Sequence, residues 1–130
     1  MTTKELISKL KQCNKNLFVV VQTYYPNGFN FSLPMYSVVN DVYVEDDWLV
    51  RLSDCKRLAD EVSVIKPAGP MTVREVIKEL SECPSDLKVT AELFMYPDFL
   101  CYNMLSSTTD DIDSVYCDKD KGVVVLSKAD

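Results

Sequence analysis

The opening segment of the chain occurs twice. Residues 1–21 and 71–91 align without a gap, and eight of these 21 positions are identical. The identical pairs are Met1/Met71, Thr2/Thr72, Glu5/Glu75, Ile7/Ile77, Leu10/Leu80, Cys13/Cys83, Leu17/Leu87 and Val19/Val89. Such self-similarity predicts two copies of one supersecondary unit that pack against each other. The Pro-Ala-Gly-Pro segment at 67–70 breaks regular structure, so we expect a first unit over 1–66 and a second over 71–130, joined in one compact domain.

Each copy begins with a well-specified helix. Thr2 and Glu5, like Thr72 and Glu75, form the Thr-x-x-Glu pattern of a capping box. The apolar residues that follow recur at helical spacing and predict one buried face per helix. We expect helices over 2–13 and 72–83, and Pro84 ends the second one.

Strands follow each helix. The segment 87–95 alternates apolar and polar residues, which is typical of a strand with one face in the core. Its counterpart at 17–21 is apolar on both faces, so we expect its second face to be covered by the other unit or by a binding partner. Hairpins are predicted around 45–47 and around 118–122, and a short helix is expected over 54–61. The sequence therefore predicts an α+β fold: a pseudo-twofold pair of αβββ units, with antiparallel sheets and one main helix per unit.

The second half also carries an ordered set of short motifs. They are Met71-Thr72, Glu75-Val76-Ile77, Pro84-Ser85-Asp86, the strand 87–93 and a last hairpin strand over 123–126. In these features the chain resembles short bacterial and phage proteins, most of which have no assigned activity. The first half departs from the pattern, since Asn14-Lys15-Asn16 replaces the Pro-x-Asp loop. Several small phage proteins that block host defence are of similar size and acidity, so the resemblance implies a phage or prophage origin.

Composition excludes several functions. The chain has no histidine, and its three glycines are not clustered, which removes histidine-based catalysis and phosphate-cradling loops. Five cysteines occur without any Cys-x-x-Cys pair, so no zinc site is predicted. The net charge of −6 disfavours direct binding to duplex nucleic acid. We expect a non-catalytic protein without cofactor or metal. It lacks a signal segment or a membrane span, so we expect it in the cytoplasm.

Two acidic regions are candidate features of the surface. Their members are Glu45, Asp46, Asp47, Asp110, Asp111, Asp113, Asp118 and Asp120. They are interpreted as solvated turns, or as carboxylates that imitate the phosphates of nucleic acid on a basic partner. The Asp-x-Asp-x-Gly segment at 118–122 lacks the complete ligand set of a calcium loop, so tight metal binding is not expected.

Two aromatic segments are the second candidate feature. The predicted partner-binding residues are Tyr25, Phe29, Phe31, Tyr96, Phe99 and Tyr102. These rings either fill the core or form an interface, and aromatic residues are enriched at interfaces. The leading hypothesis is a non-catalytic binding protein that occupies the surface of a host protein such as a defence nuclease. The alternatives are a protein that sequesters a small molecule, such as a nucleotide signal, with its aromatic loops, and a structural or assembly protein that self-associates.

Overall fold

The computed structural model describes residues 1–26, 32–54, 56–57, 65–66, 70–93 and 108–128. In chain order the elements are α1 (Thr3–Leu10), β1 (Phe18–Pro26), β2 (Ser32–Val38), β3 (Asp41–Glu45), β4 (Leu49–Ser53), β5 (Lys56–Arg57), β6 (Ile65–Lys66), α2 (Val73–Ser81), β7 (Lys88–Leu93), β8 (Thr108–Asp111), β9 (Ser114–Asp118) and β10 (Val123–Ser127). The chain thus has an α+β fold with one main helix in each half.

Both helices begin where the capping boxes place them. Thr2 Oγ1 accepts from the amide of Glu5 at 3.2 Å, and Thr72 Oγ1 accepts from the amide of Glu75 at 3.3 Å. Each glutamate reaches back to its threonine, so both capping boxes are complete. Both helices end earlier than the sequence predicts, at Leu10 and at Ser81. A turn follows each helix and leads to the half-buried Cys13 or Cys83.

Eight of the strands form two four-stranded sheets. Sheet I has the order β2-β1-β10-β9, and sheet II has the order β3-β4-β7-β8. The prediction of antiparallel sheets was wrong, because the central pairs β1–β10 and β4–β7 are parallel. Each parallel pair joins a strand of the first half to a strand of the second, whereas the outer pairs are antiparallel neighbours in sequence. The sheets are therefore mixed.

The predicted αβββ unit lacked a strand. Four strands of the two main sheets belong to each half, and the additional ones are β2 and β8. β2 contains Pro34, which cannot donate a backbone hydrogen bond and is tolerated because β2 lies at a sheet edge. The short helix expected over 54–61 was also wrong where the chain is described, since Lys56–Arg57 pairs with Ile65–Lys66 as a small antiparallel ladder.

Each half contributes one hairpin to each sheet. Val39 and Asn40 carry the chain from β2 in sheet I to β3 in sheet II, and Ile112 and Asp113 carry it from β8 in sheet II to β9 in sheet I. Val39 and Ile112 are fully buried at these crossings. The result is an exchange: each sheet combines the first hairpin of one half with the second hairpin of the other.

The two halves contact each other through matched hydrogen bonds. The amide of Thr3 donates to the carbonyl of Leu87, and the amide of Val73 donates to that of Leu17, both at 2.8 Å. The start of each helix is thus bound to the residue before the first strand of the other half. These bonds satisfy backbone donors that a helix N-terminus leaves without an intrahelical partner.

One hydrophobic core joins both sheets and both helices. Its fully or nearly buried members include Leu6, Leu10, Val19, Val21, Val39, Val50, Leu52, Val73, Val76, Leu80, Val89, Ala91, Leu93, Ile112, Val124 and Leu126. Alternate residues of the central strands therefore face inward, which defines the opposite face of each sheet as its outer face. Neither of the two described helices is long and apolar enough to span a membrane.

Candidate binding surfaces on the two sheets

The outer face of sheet I is apolar. Val20 on β1 and Val125 on β10 are direct neighbours across the parallel pair, and both are buried although neither belongs to the core. Their row continues to Val38 on β2 and Tyr116 on β9. The apolar second face that the sequence indicates for residues 17–21 is therefore the outer face of this sheet, and Phe18 on it is 46% exposed.

Large exposed side chains concentrate there. We define the aromatic face as Phe18, Tyr36, Val38 and Tyr116 with Val20 and Val125 between them. Tyr36 is 40% exposed, Val38 37% and Tyr116 41%. An isolated exposed apolar residue is ordinary, whereas a contiguous group is less common on a monomeric protein.

Two contacts fix the tyrosines of the aromatic face. The Tyr116 hydroxyl donates to Gln22 Oε1 at 2.9 Å, so the ring extends from β9 over β10 to β1. The Lys121 ammonium lies 3.4 Å from the centroid of the Tyr36 ring, which is a cation–π contact. A side-chain hydrogen bond with Tyr36 raises the pKa of Lys121. Both tyrosine rings are therefore fixed by contacts within the chain.

The outer face of sheet II is polar at the matching positions. Arg51 on β4 and Thr90 on β7 occupy the central pair, where sheet I has Val125 and Val20. Arg51 Nε lies 2.5 Å from Glu45 Oε2, and its Nη1 donates to Thr90 Oγ1 at 2.7 Å.

The neighbouring strands extend this polar network. Lys88 on β7 pairs with Asp111 on β8 at 3.1 Å. Tyr43 donates from β3 to Glu92 on β7, which is only 8% exposed. The outer face of sheet II is therefore crosslinked by charged and hydrogen-bonding side chains, in contrast to the apolar face of sheet I.

A pocket of about 420 Å³ opens on this polar face. Arg51, Lys88 and Lys128 line it together with Asp111, and the indole of Trp48 lies at its side. Leu49, Thr90 and Thr109 complete the lining. Its cations outnumber its carboxylates although the whole chain carries a net charge of −6. We call this the sheet II pocket.

The predicted partner-binding aromatics fall largely outside the described residues. Tyr25 lies in β1, where its backbone pairs with Leu33, and its side chain is not described. Five more lie outside the described ranges: Phe29, Phe31, Tyr96, Phe99 and Tyr102. Their assignment as a binding surface stays a prediction.

The first group of predicted acidic residues forms a hairpin turn in sheet II. Asp46 and Asp47 are exposed between β3 and β4 and have positive φ angles of 53° and 62°. Such angles match the twist of a tight hairpin, and aspartate tolerates them better than most residues. Glu45 is engaged by Arg51, so only part of this group faces solvent freely.

The second acidic group is divided between the sheets. Asp110 and Asp111 lie in β8 of sheet II, and Asp113 Oδ1 lies 3.3 Å from the amino group of Met1. Asp118 closes the β9–β10 turn by accepting from the amides of Asp120 and Lys121, each at 3.1 Å. The structure does not gather the acidic residues in one row, and nucleic-acid mimicry stays a prediction.

Two of the described thiols, Cys13 and Cys83, are less acidic than an ordinary thiol. Burial, followed by the nearby Cys117, raises the pKa of the Cys13 thiol. Burial, followed by Glu79 and Glu82, raises the pKa of the Cys83 thiol. Within the described ranges, no group of three cysteine, aspartate or glutamate side chains is placed to hold a metal ion.

The aromatic cluster that the sequence shows over 24–36 includes Tyr36, but most other members of both surfaces were not predicted. Tyr36 and Val38 alternate with Ser37 in a strand that Pro34 concealed. Tyr116 lies in a hairpin that was predicted, but its direction depends on pairing with Val125. Only the double-sided apolar pattern of residues 17–21 signalled an uncovered face.

No protein-family model, no curated protein and no solved structure matches this chain. Its function therefore has to be argued from its own surfaces.

Proposed function

We propose that the protein is a non-catalytic binding protein that docks its aromatic face onto another protein. The observation that carries the proposal is the grouping of Phe18, Tyr36, Val38 and Tyr116 on one outer sheet face. Four of the six large hydrophobic side chains found exposed in the described residues lie there. Interface cores are rich in aromatic residues and poor in charge, and this face has that composition.

Several side chains of the face are already fixed by contacts within the chain. Val20 and Val125 are buried at the centre of the face. Tyr116 is fixed by Gln22, and Tyr36 is fixed by Lys121. Because these side chains have little freedom left to lose, binding of a partner orders them at a low entropic cost. The rings of Phe18 and Tyr36 are the anchors that we expect to contribute most of the affinity.

Charge favours a different protein over a second copy as the occupant. The chain has a net charge of −6, so two copies repel each other at low salt. The β9–β10 hairpin that borders the face adds no net charge, because Asp118 and Asp120 alternate with Lys119 and Lys121. A different protein with an apolar patch and without a large negative charge therefore complements the face.

The finer identity of the protein is part of the same proposal. We propose that it is encoded by a phage or prophage and that it inhibits a cytoplasmic host protein such as a defence nuclease by covering its surface. The resemblance to short bacterial and phage proteins supports this assignment, together with the size and acidity of the chain. Sequestering of a small molecule by the aromatic loops, or a role in assembly, remains the alternative.

We also propose that the fold descends from an internal duplication, with four strands per unit instead of three. The matched capping boxes and the matched Thr3–Leu87 and Val73–Leu17 hydrogen bonds support this origin. The equivalent registers of β1–β10 and β7–β4 support it as well. In this interpretation one outer face has become apolar and the other polar.

Parallel affinity capture from a bacterial lysate tests the proposal. The baits are the wild type, the double variant Phe18→Ala/Tyr36→Ala, and a control Trp48→Leu, which changes an exposed ring on sheet II. Each bait is first shown to fold by urea unfolding. We expect a protein that the wild type and the control retain in equal amount and that the double variant loses.

The other outcomes contradict the proposal. Equal retention by all three baits rejects the aromatic face as the contact surface. Failure of the wild type to retain any protein rejects the binding function in that host. A wild type that sediments as a stable dimer, and that becomes monomeric in the double variant, assigns the face to self-association instead.

A further inference from the structure

We propose that the sheet II pocket binds a small anionic ligand with an aromatic ring, of the nucleoside monophosphate class. The pocket lies on the polar outer face of sheet II, whereas the aromatic face belongs to sheet I. The inference therefore does not depend on the proposed protein partner. Its volume of about 420 Å³ falls within the usual range for small-molecule sites.

The cations of the pocket have the arrangement of an anion site. Arg51 is held rigidly because Glu45 and Thr90 engage its guanidinium, so its remaining N–H donors are fixed in direction although Glu45 balances its charge. Lys128 lies beyond the end of β10 and forms no ion pair with any described residue. A phosphate that enters the pocket gains charge-assisted hydrogen bonds from Lys128 without competing with a described carboxylate.

Lys88 supplies a second, exchangeable cation. It pairs with Asp111 at 3.1 Å, but both side chains are substantially exposed, at 51% and 41%. An exposed pair of this kind contributes little to stability, so a dianionic phosphate can compete with Asp111 for the Lys88 ammonium.

Trp48 supplies the surface for a ring. It is 62% exposed, the highest value among the large hydrophobic side chains described as exposed, and it lines the same pocket as the cations. The indole is therefore accessible to a ligand that enters the pocket. Aromatic side chains stack on nucleic acid bases irrespective of their sequence. In the proposed complex, the aromatic ring of the ligand stacks on Trp48 and its phosphate lies toward Lys128 and Arg51.

The comparison with sheet I supports a specific role for these residues. At the positions of Arg51, Thr90 and Lys88, sheet I has Val125, Val20 and Phe18. The fold therefore accepts an apolar layer at these positions, and a polar network is not needed to form the sheet. The cations and Trp48 instead provide the features that a ligand with one charged end and one flat end requires.

Fluorescence of the protein gives a direct test, because Trp48 is the single tryptophan of the chain. The probe is adenosine 5′-monophosphate, with excitation at the red edge of indole absorption, and adenosine and inorganic phosphate are titrated separately. We expect saturable quenching by the monophosphate, and binding at least about tenfold weaker for adenosine and for phosphate, because each makes only part of the contacts.

Two variants and one control complete the test. Lys128→Gln should weaken monophosphate binding at least about fivefold, through the lost charge-assisted contact. Trp48→Leu should weaken it about tenfold, measured by calorimetry because the fluorophore is gone. Lys119→Gln removes the same charge from an exposed turn of sheet I and should leave the affinity unchanged.

The remaining results overturn the inference. Absence of saturable quenching by the monophosphate rejects the site. Inorganic phosphate that binds as tightly as the monophosphate reduces the pocket to a simple anion site and rejects the role of Trp48. Equal effects of Lys128→Gln and Lys119→Gln would show that binding depends on the net charge of the protein and not on the pocket. None of these results bears on the aromatic face, which the capture experiment tests separately.

Discussion

Tyr116 and Gln22 are joined by a 2.9 Å hydrogen bond that crosses a whole strand of sheet I. Tyr43 and Glu92 form the matching bond across β4 in sheet II. In both cases the tyrosine lies on an edge strand of one half and the acceptor on a central strand of the other half. These paired bonds tie the exchanged hairpins together on both outer faces.

The two tyrosine bonds should differ in their contribution to stability. Tyr43→Phe removes a donor from Glu92, a largely buried carboxylate, and we expect a loss of about 2 kcal/mol in the free energy of unfolding. Tyr116→Phe removes a bond between neutral and more exposed groups, and we expect about 0.5–1 kcal/mol. Urea unfolding of both variants measures the difference. Equal losses would show that the charge and burial of Glu92 do not govern this contact.

The capping boxes should be equivalent. Thr2→Ala and Thr72→Ala each remove a side-chain acceptor from an N3 amide, and each should cost about 1 kcal/mol. Thr72→Ser, which keeps the hydroxyl, is the matched control and should cost much less. A large difference between the two alanine variants would contradict the equal roles of the helices in the fold.

The Arg51–Glu45 pair should show strong coupling. Arg51→Val introduces the residue type found at the matching position of sheet I and leaves Glu45 without its cation, so we expect a loss of about 2 kcal/mol. Adding Glu45→Gln removes the uncompensated charge and should recover at least half of that loss. Additive losses in the double variant, measured by chemical denaturation, would exclude coupling between these side chains.

The two half-buried thiols should react slowly at neutral pH. Burial raises the pKa of Cys13 and of Cys83 above the ordinary thiol value of 9.0, so the thiolate fraction stays small. Iodoacetamide labelling, resolved by residue with mass spectrometry, should give rates that keep rising above pH 9.0. In urea, the pH at which labelling of each thiol reaches half its maximum rate should fall toward the ordinary thiol pKa.

The raised pKa values of Cys13 and Cys83 also determine how the stability of the fold changes with pH. The fold favours the neutral thiols, so their contribution is complete below the unfolded pKa and is lost as the pH rises through the folded one. Stability should therefore fall on the alkaline side. Labelling midpoints of Cys13 and Cys83 at or below pH 9.0 in the folded protein would contradict the assigned burial.

Local features of the fold were predictable from the sequence. The Thr-x-x-Glu pattern specified both helix starts, since capping depends on residues within one turn. The hairpins β3–β4 and β9–β10 followed from alternating residues around acidic turns. The apolar pattern on both sides of β1 indicated an apolar layer on its second face, where Phe18 and Val20 lie.

Long-range features were not predictable in the same way. The parallel pairing of Val20 with Val125 and of Arg51 with Thr90 depends on the exchange of hairpins, which no local pattern encodes. The sheet II pocket combines Trp48, Lys88 and Lys128, which are far apart in sequence. Pro34 hid an edge strand because proline usually disfavours strands, although an edge position tolerates it.

The most direct measurement is the affinity of the captured partner for the wild type, for Phe18→Ala and for Tyr36→Ala, at low and at high salt. If the aromatic face carries the binding, each variant loses about 2 kcal/mol, or roughly thirtyfold in affinity, and salt changes the affinity little. Unchanged affinity in both variants, with a steep loss of wild-type affinity at high salt, would contradict this account and assign binding to the acidic residues.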